Sequence, residues 1–477
     1  MKAAKKILVL LFITSLSTLS RGQAFTIDPI KEDSALRQAP SKIISQIQLI
    51  GNKRTKAKII MRELLFSVGD SMPNATFFAA LEQSRKNLLN TSLFNFIKID
   101  IALIDSLHAS IIIQLSERWY IIPLPIFEID DNNFNTWWKD RDYNRINYGI
   151  NVTDHNFRGR NERLSATVKY GFTKRFRLSY SIPYIDRNQK IGLGFSFSSN
   201  RREQIVYSSF NNKRLQFISD ENAWKNFHAG MAVSWRKKIF TTHTFGLSFN
   251  SNRVTDTVVN LNENFLGERK NNHRFLSLSY RFTADKRDSK NYPLKGSYFD
   301  FSVVKYGLGI GKNEIDLTNF QLQYKKFIHL KNRFYLSGSL RGVLAANDDQ
   351  PYILQNGLGY SSFAIRSYEL YVIDGQNIGL AKAQLRYQLL KPRVSRIRSL
   401  PEKFEKVHYA LYLGIFSDLG YVEDRTGFPE NNLANELQYG SGIGLDFVSY
   451  YDIVIRSEFS INKFGESGLF FHFVAPI

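Results

Sequence analysis

The chain has 477 residues, enough for two or three domains, and no cysteine, which excludes disulfides and thiolate metal sites. Aromatic residues are abundant, with 38 Phe and 24 Tyr, yet mean hydropathy is only −0.27, which excludes a bundle of apolar transmembrane helices. The formal net charge of +21 suits nucleic acid, anionic lipid or acidic protein as a partner, but Lys and Arg are spread over turns and strand ends without a basic helix or zinc-finger spacing, so no nucleic acid is expected.

The N-terminus reads MKAAKKILVLLFITSLSTLSRGQ. Lys2, Lys5 and Lys6 precede an apolar run from Ile7 to Leu19, and small and polar residues follow. This is the form of a secretory signal peptide over residues 1–22, with the mature chain starting at Gln23. A membrane anchor is the alternative, but the run is short of the roughly 20 residues a helical span needs. Export past the inner membrane of a two-membrane bacterium is therefore expected. Residues 23–41 form a polar lead-in without periodicity.

Residues 42–117 read as a compact α/β unit. KIISQIQLIGN predicts a strand ending in a Gly51-Asn52 turn. TKAKIIMRELLFSVGD puts Ile59, Ile60, Leu64 and Leu65 on one helical face, with Thr55 as N-cap and Gly69-Asp70 as the stop. NATFFAALEQSRKNLLNTSLF predicts a second helix with a stripe of Phe77, Phe78, Leu81, Leu88 and Leu89. FNFIKIDIALID and ASIIIQLSERW predict two strands, giving the order β-α-α-β-β.

From Trp119 to the terminus, period-two alternation replaces helical periodicity. GRNERLSATVKYGF sets Leu164, Ala166, Val168 and Tyr170 against Ser165, Thr167 and Lys169. About sixteen such segments follow one another, mostly of 8 to 13 residues, separated by turns rich in Asn, Asp, Gly and Lys. A soluble β-sandwich has fewer and shorter strands. A transmembrane barrel needs strands of about 9 to 11 residues with one apolar and one polar face. The fold class expected is mainly β: a 16-stranded antiparallel transmembrane barrel over residues 119–477, preceded by the small α/β domain. An even strand number returns both barrel ends to the side of the N-terminal unit, which places that unit in the periplasm. Phe471 and Phe473 share one face of the closing strand.

Enzyme chemistry finds no motif. The eight His are scattered, and no HExxH or G-x-S-x-G appears. GLGY and GSGIGL fall in β segments without a following helix, so they are poor phosphate loops. Glycine there lets a wall bend or lets another segment approach. No catalytic residue, metal or cofactor is expected.

Four constellations remain. TDHNFRGRNERLS holds Asp154, Asn156, Phe157, Gly159 and Arg160 between two strands. TADKRDSKNYPLKGSYFDF holds Asp285, Arg287, Asp288, Pro293 and Gly296. SSFAIRSYELYVIDGQNIGL is a long loop with Arg366 among apolar residues. LGIFSDLGYV places Asp418 at a strand end, with Phe416 and Gly420 two residues to either side.

Together these resemble the BamA/TamA-like family of outer-membrane assembly and translocation barrels. The α/β unit resembles the family's periplasmic POTRA domain. SSFAIRSYELYVIDGQNIGLAKAQLRYQLL is similar to its inward-folding sixth loop and the strand after it, through Ile365, Arg366 and Tyr368, with Ser367 where the pattern has Gly. IFSDLGYV is similar to a Phe-x-Asp-x-Gly strand, and the Asp154–Gly159 and Asp285–Gly296 stretches resemble two further landmarks. The resemblance implies that Arg366 anchors the loop inside the barrel on Asp418, a pairing a half-buried guanidinium also requires; an exposed loop with a solvated Arg is the alternative. It implies insertion of unfolded clients, bound at a POTRA strand edge such as NFIKIDIALI or ASIIIQLSE and templated at the barrel seam. It also implies an outer-membrane location in a Gram-negative bacterium, with clients, membrane lipid and accessory lipoproteins as partners. A secretion pore or a passive porin are the alternatives.

Overall fold

The computed structural model describes residues 41–105, 107–129, 146–310, 315–347, 350–355, 357–359, 363–396, 406–425, 430–449 and 453–474. The segment expected to be a signal peptide and the lead-in up to residue 40 lie outside the described residues, as does the side chain of Phe473.

The N-terminal unit is built from β1 (Ser41–Ile50), α1 (Ala57–Met61), β2 (Ser71–Pro73), α2 (Asn74–Leu89), β3 (Phe94–Leu103) and β4 (His108–Glu117). Its sheet order is β2-β1-β4-β3, with β1 and β4 parallel and the other pairs antiparallel. Ile44, Ile59, Ile60, Phe77, Leu81, Leu88, Ile111 and Ile113 make a core of its own.

The order differs from β-α-α-β-β by the three-residue strand β2, which pairs with β1 between the two helices, and expectations fail for physical reasons at the first helix and at the strand edge. The first helix stops at Met61 instead of running to Gly69, because α2 side chains capture the backbone beyond it. Ser84 Oγ accepts the Leu65 N–H at 2.9 Å, and Asn87 Nδ2 donates to the Glu63 carbonyl at 3.1 Å. Leu64 and Phe66 still reach the core, whereas Leu65 is exposed. Thr55 does not cap the helix; its hydroxyl is used elsewhere, as described below. The second failure concerns the strand edge. β4 lies between β1 and β3, so ASIIIQLSE has no free edge and only β3 offers a long one on that side.

The remaining chain forms a 16-stranded antiparallel sheet with every strand beside its sequence neighbour, apart from one excursion. Its first five strands are β5 (Ile121–Ile129), β6 (Ile146–Phe157), β7 (Glu162–Gly171), β8 (Thr173–Ile182) and β9 (Ile191–Arg202). The excursion is the separate hairpin β10 (Gln204–Phe210) and β11 (Lys213–Ile218). The sheet resumes with β12 (Trp224–Lys238), β13 (Thr241–Val254), helix α3 (Asp256–Leu261) beyond its end, β14 (Asn272–Asp285), β15 (Gly296–Tyr306), β16 (Leu317–His329) and β17 (Phe334–Ala345). It finishes with β18 (Asn377–Arg396), β19 (Lys406–Glu423), β20 (Gln438–Val448), β21 (Val454–Asn462) and β22 (Ser467–Val474).

Alternation sorts the side chains by face, because successive strand residues point to opposite sides. Phe195, Phe197, Met231, Phe245, Leu247, Leu278 and Leu340 are exposed on the outer face. Asn200, His273, Asn319, Gln384 and Asp418 are buried on the inner one. Among the described residues no helix is long and apolar enough to cross a membrane.

Candidate functional site: a loop clamped inside the barrel

The segment between β17 and β18 folds into the barrel. Its Leu358 bridges to Ile373, and each donates an N–H to the other's carbonyl at 2.9 Å. The glycines of GLGY belong to this inward loop and not to a barrel strand as expected. A Cβ on Gly357 would lie 1.8 Å from the Ile373 carbonyl oxygen, so the two limbs close only over glycine. Leu358, Phe363, Ile365, Tyr368 and Ile373 pack against Val343, Ile378, Leu380 and Val422 of the wall.

Arg366 carries the polar part of this contact. Its Nε and Nη2 donate to the two oxygens of Asp418 at 2.9 and 2.5 Å, and its own backbone N–H donates to Asp418 Oδ2 at 3.1 Å. Asp418 is fully buried, so three hydrogen bonds to one carboxylate replace its hydration. Lys382 Nζ stands 3.4 Å from Asp418, and Arg366 Nη1 also reaches Glu458 at 3.3 Å. The guanidinium lies 3.6 Å above the centre of the Phe416 ring. Asp418 sits inside β19, five residues before its end, rather than at a strand end; Phe416, Asp418 and Gly420 face inward by period two.

The wall is cut to fit this loop. A Cβ on Gly420 would fall 2.4 Å from Ile365, one on Gly440 2.2 Å from the Arg366 carbonyl oxygen, and one on Gly442 2.8 Å from Phe416. Tyr368 closes the clamp by donating its hydroxyl to Gln438 at 3.1 Å. Gln438, Gly440, Gly442, Glu458 and Lys382 were not named as site residues from the sequence. The Gly-x-Gly-x-Gly of GSGIGL was the available signal, since alternate glycines on one strand face admit a second backbone.

At the other end of the loop, Asp374 accepts hydrogen bonds from Ser209 at 2.5 Å and Tyr352 at 3.0 Å. Asn212 of the β10–β11 hairpin accepts the Val372 N–H at 2.9 Å, and Asn431 bonds the same hairpin through Ser209. Hairpin, loop and the segment before β20 thus form one cap.

The other two constellations sit elsewhere, at the joint between barrel and N-terminal unit. Asp154, Asn156 and Phe157 lie within β6 itself, and Gly159 and Arg160 in the turn after it. Arg54 Nη2 donates to Asp154 at 2.6 Å. Asn156 donates to the Thr55 hydroxyl at 2.9 Å, which is also 2.9 Å from the Tyr120 hydroxyl; burial pushes that phenol above its ordinary pKa. Gly159, at φ +71°, accepts the Lys56 N–H at 2.9 Å, and a Cβ there would meet the Arg54 carbonyl oxygen at 2.1 Å. Asp285 and Arg287 pair bidentately at 2.7 and 2.8 Å and hold the β14–β15 turn, whose Pro293 precedes Gly296. Gly296, at φ +103°, has the Lys286 carbonyl oxygen where a Cβ would go. This turn meets Asn90, which donates to the Arg287 and Asp288 carbonyls at 3.4 Å. Glu63 is gripped by Arg236 at 2.6 and 2.8 Å.

Among the described residues no cluster of His, Cys, Asp or Glu could hold a metal ion. A sixteen-stranded barrel with an inward-folded, arginine-anchored loop and a small α/β unit defines an outer-membrane β-barrel protein. The chain belongs to the Omp85 superfamily, whose domain model matches residues 156–449. Members of that superfamily are non-enzymatic outer-membrane barrels of Gram-negative bacteria that handle protein clients. BamA from Haemophilus ducreyi lacking POTRA domains 1–3 superposes with TM-score 0.51 at 13% identity, covering 91% of this chain and 84% of that one. CdiB from Acinetobacter baumannii gives 0.48 at 13%, covering 91% and 73%. CdiB from Escherichia coli gives 0.48 at 12%, covering 98% and 96%. At these identities the likeness to BamA concerns the fold alone. No curated protein sequence matches the chain.

Proposed function

We propose that this barrel inserts unfolded outer-membrane clients into the membrane at the seam between β5 and β22. The observation that carries the proposal is the sheet order, which ends on these two strands. Both are weak partners. β22 has eight residues, and β5 carries Pro123 and Pro125, which have no N–H to give to a ladder. Unpaired strand edges are costly in lipid, so an opened seam is a template for a client strand. The clamped loop and its cap occupy the lumen, which disfavours a passive porin.

In this reading residues 1–22 are a signal peptide, residues 23–41 a lead-in, and 42–117 a POTRA-like domain in the periplasm. The free edge of β3 accepts clients by β-augmentation, through backbone hydrogen bonds that ignore sequence. Accessory lipoproteins dock on the same side.

A cysteine pair engineered across β5 and β22 tests this, in a chain with no other cysteine. Oxidation is expected to abolish client insertion into vesicles, and a reductant to restore it. Unchanged insertion with the seam locked overturns the proposal. Client release into the vesicle interior with the seam locked identifies a secretion pore instead.

A further inference from the structure

A row of cations crosses four neighbouring strands on the outer face of the barrel. Lys174 on β8 lies opposite Arg201 on β9, Arg201 opposite Lys225 on β12, and Lys225 opposite Arg253 on β13. Arg274 on β14 follows one row further in, opposite Ser251. All five side chains are exposed, and none makes an ion pair with a described residue. Like charges directly opposite one another on a sheet face repel. The row therefore costs stability unless something anionic covers it. Lys305, also outward-facing near the same end, is instead neutralised within the chain by Asp316.

The row sits at the barrel end away from the N-terminal unit. On β12 the other end is marked by Arg236, which holds Glu63 of that unit. Below the cations the surface turns apolar. Leu178, Phe197, Ala229, Phe249 and Leu276 form a single cross-strand row in which Ala229 is the one small residue. The dip over it is a groove of about 420 Å³ that Met231 and Leu247 help to line. Phe227 stands between cations and groove, edge-on to Phe197 and Phe249 with ring centres 5.1 and 6.1 Å apart. Ala229 is four residues from Lys225, roughly 13 Å along the strand, so the apolar floor lies an acyl segment below the charge.

We propose that this face is a binding site for a phosphorylated lipid of the leaflet farther from the N-terminal unit. The phosphates lie on the row Lys174–Arg201–Lys225–Arg253, and an acyl chain lies in the groove over Ala229. Charge selects the head and the groove selects the tail. A zwitterionic lipid leaves the repulsion in place, and a free phosphate leaves the groove empty. The proposal requires a barrel in a bilayer but not a client-insertion role, so the two fail separately.

The test is co-purification of lipid with the full chain from nanodiscs of phosphatidylcholine containing a small fraction of diphosphorylated lipid A, read by native mass spectrometry. Lipid A is expected to be retained over phosphatidylcholine. The double variant Lys225→Gln, Arg253→Gln should lose retention roughly tenfold or more. Ala229→Phe, which fills the groove and leaves the cations, should weaken lipid A while leaving inorganic diphosphate binding unchanged. Thermal stability in lipid-free detergent should be unchanged or raised in the double variant, since repulsion is removed. Equal retention of lipid A by wild type and double variant overturns the proposal. So does an undiminished site in Ala229→Phe that inorganic diphosphate fills as tightly, since that is a bare anion site.

Discussion

Gly420 lies directly beneath Ile365, and a Cβ there would fall 2.4 Å from Ile365 Cδ1 and 2.7 Å from Leu358 Cδ1. Both neighbours are buried and have no room to retreat. Gly420→Val is therefore expected to lift the loop tip from the wall, at a cost of about 1–3 kcal/mol for overpacking. A single cysteine replacing Ala364 reports this. Its labelling should be slow in the parent and fast with Val at 420; equal rates would mean the tip is not seated on β19.

The Arg366–Asp418 pair should behave as one unit. Removing either partner leaves the other charged and buried, so Arg366→Ala and Asp418→Ala are each expected to cost about 3–5 kcal/mol. The double variant should cost much less than their sum, because neither charge is then stranded. Denaturation of the four proteins in one detergent provides the cycle. Glu458 and Lys382 flank the pair, so the Arg366 variant also leaves Glu458 without one partner. Strict additivity would count against the clamp.

Ser367 has φ +78°, in the left-handed region that costs a residue with a Cβ about 1 kcal/mol. Its hydroxyl bonds the neighbouring Arg366 carbonyl, which eases the strain locally. Ser367→Gly is expected to keep the clamp and to be neutral or slightly stabilising. A loss of more than about 1 kcal/mol would show that the hydroxyl matters more than the backbone shape.

These residues show what the sequence made legible. The barrel was readable because period-two alternation and strand lengths near 10 residues are strong signals when repeated sixteen times. Ile365, Arg366, Tyr368 and Asp418 stand out through the family resemblance, and the need of a half-buried guanidinium for a carboxylate supports only the Arg366–Asp418 part of it. What the sequence hid was three-dimensional. β1 and β4 pair in parallel across a long separation, so the burial of β4's edges was invisible. Helical periodicity extends the first helix toward Gly69, whereas Ser84 and Asn87 of α2 take the backbone groups of Leu65 and Glu63 and end it at Met61. The Asp154–Gly159 stretch stands out in the sequence only as a segment between two strands and by its resemblance, since its partners Arg54 and Thr55 are about a hundred residues away.

That joint gives a further expectation. Gly159→Val places a side chain against the Arg54 carbonyl oxygen and in a backbone conformation L residues avoid, so the Lys56–Gly159 hydrogen bond should break. The unit would then be held by its other contacts, Glu63 with Arg236, Arg54 with Asp154 and Asn90 with the β14–β15 turn, and gain freedom at the Lys56 end. Spin labels on the N-terminal unit and on β7 are expected to give a broader distance distribution in the variant. The barrel itself should keep its heat-modifiable mobility on gels. An unchanged distribution would show that the joint does not depend on Gly159.

The β3–β4 turn carries a pH dependence whose sign can be worked out. Asp105 Oδ1 accepts the backbone N–H groups of His108 at 2.7 Å and Leu107 at 2.8 Å. These donors, with the His108 ring at 2.8 Å from Oδ2, hold the carboxyl down to about 2 from an ordinary value of 3.8. A depressed carboxyl stabilises the folded turn above the unfolded pKa of about 4 and loses that contribution as pH falls through about 2. Asp105 is solvent-exposed, so the effect belongs to the hairpin and not to global stability. Amide exchange at Leu107 and His108, corrected for intrinsic rates, should show constant protection from pH 6 down to about 4 and a decline below about 3. Asp105→Ala should abolish both the protection and its pH dependence. Because the turn leads out of β3, its opening at low pH would loosen the edge assigned to clients; protection that stays level down to pH 2 would remove Asp105 as the group that fixes it.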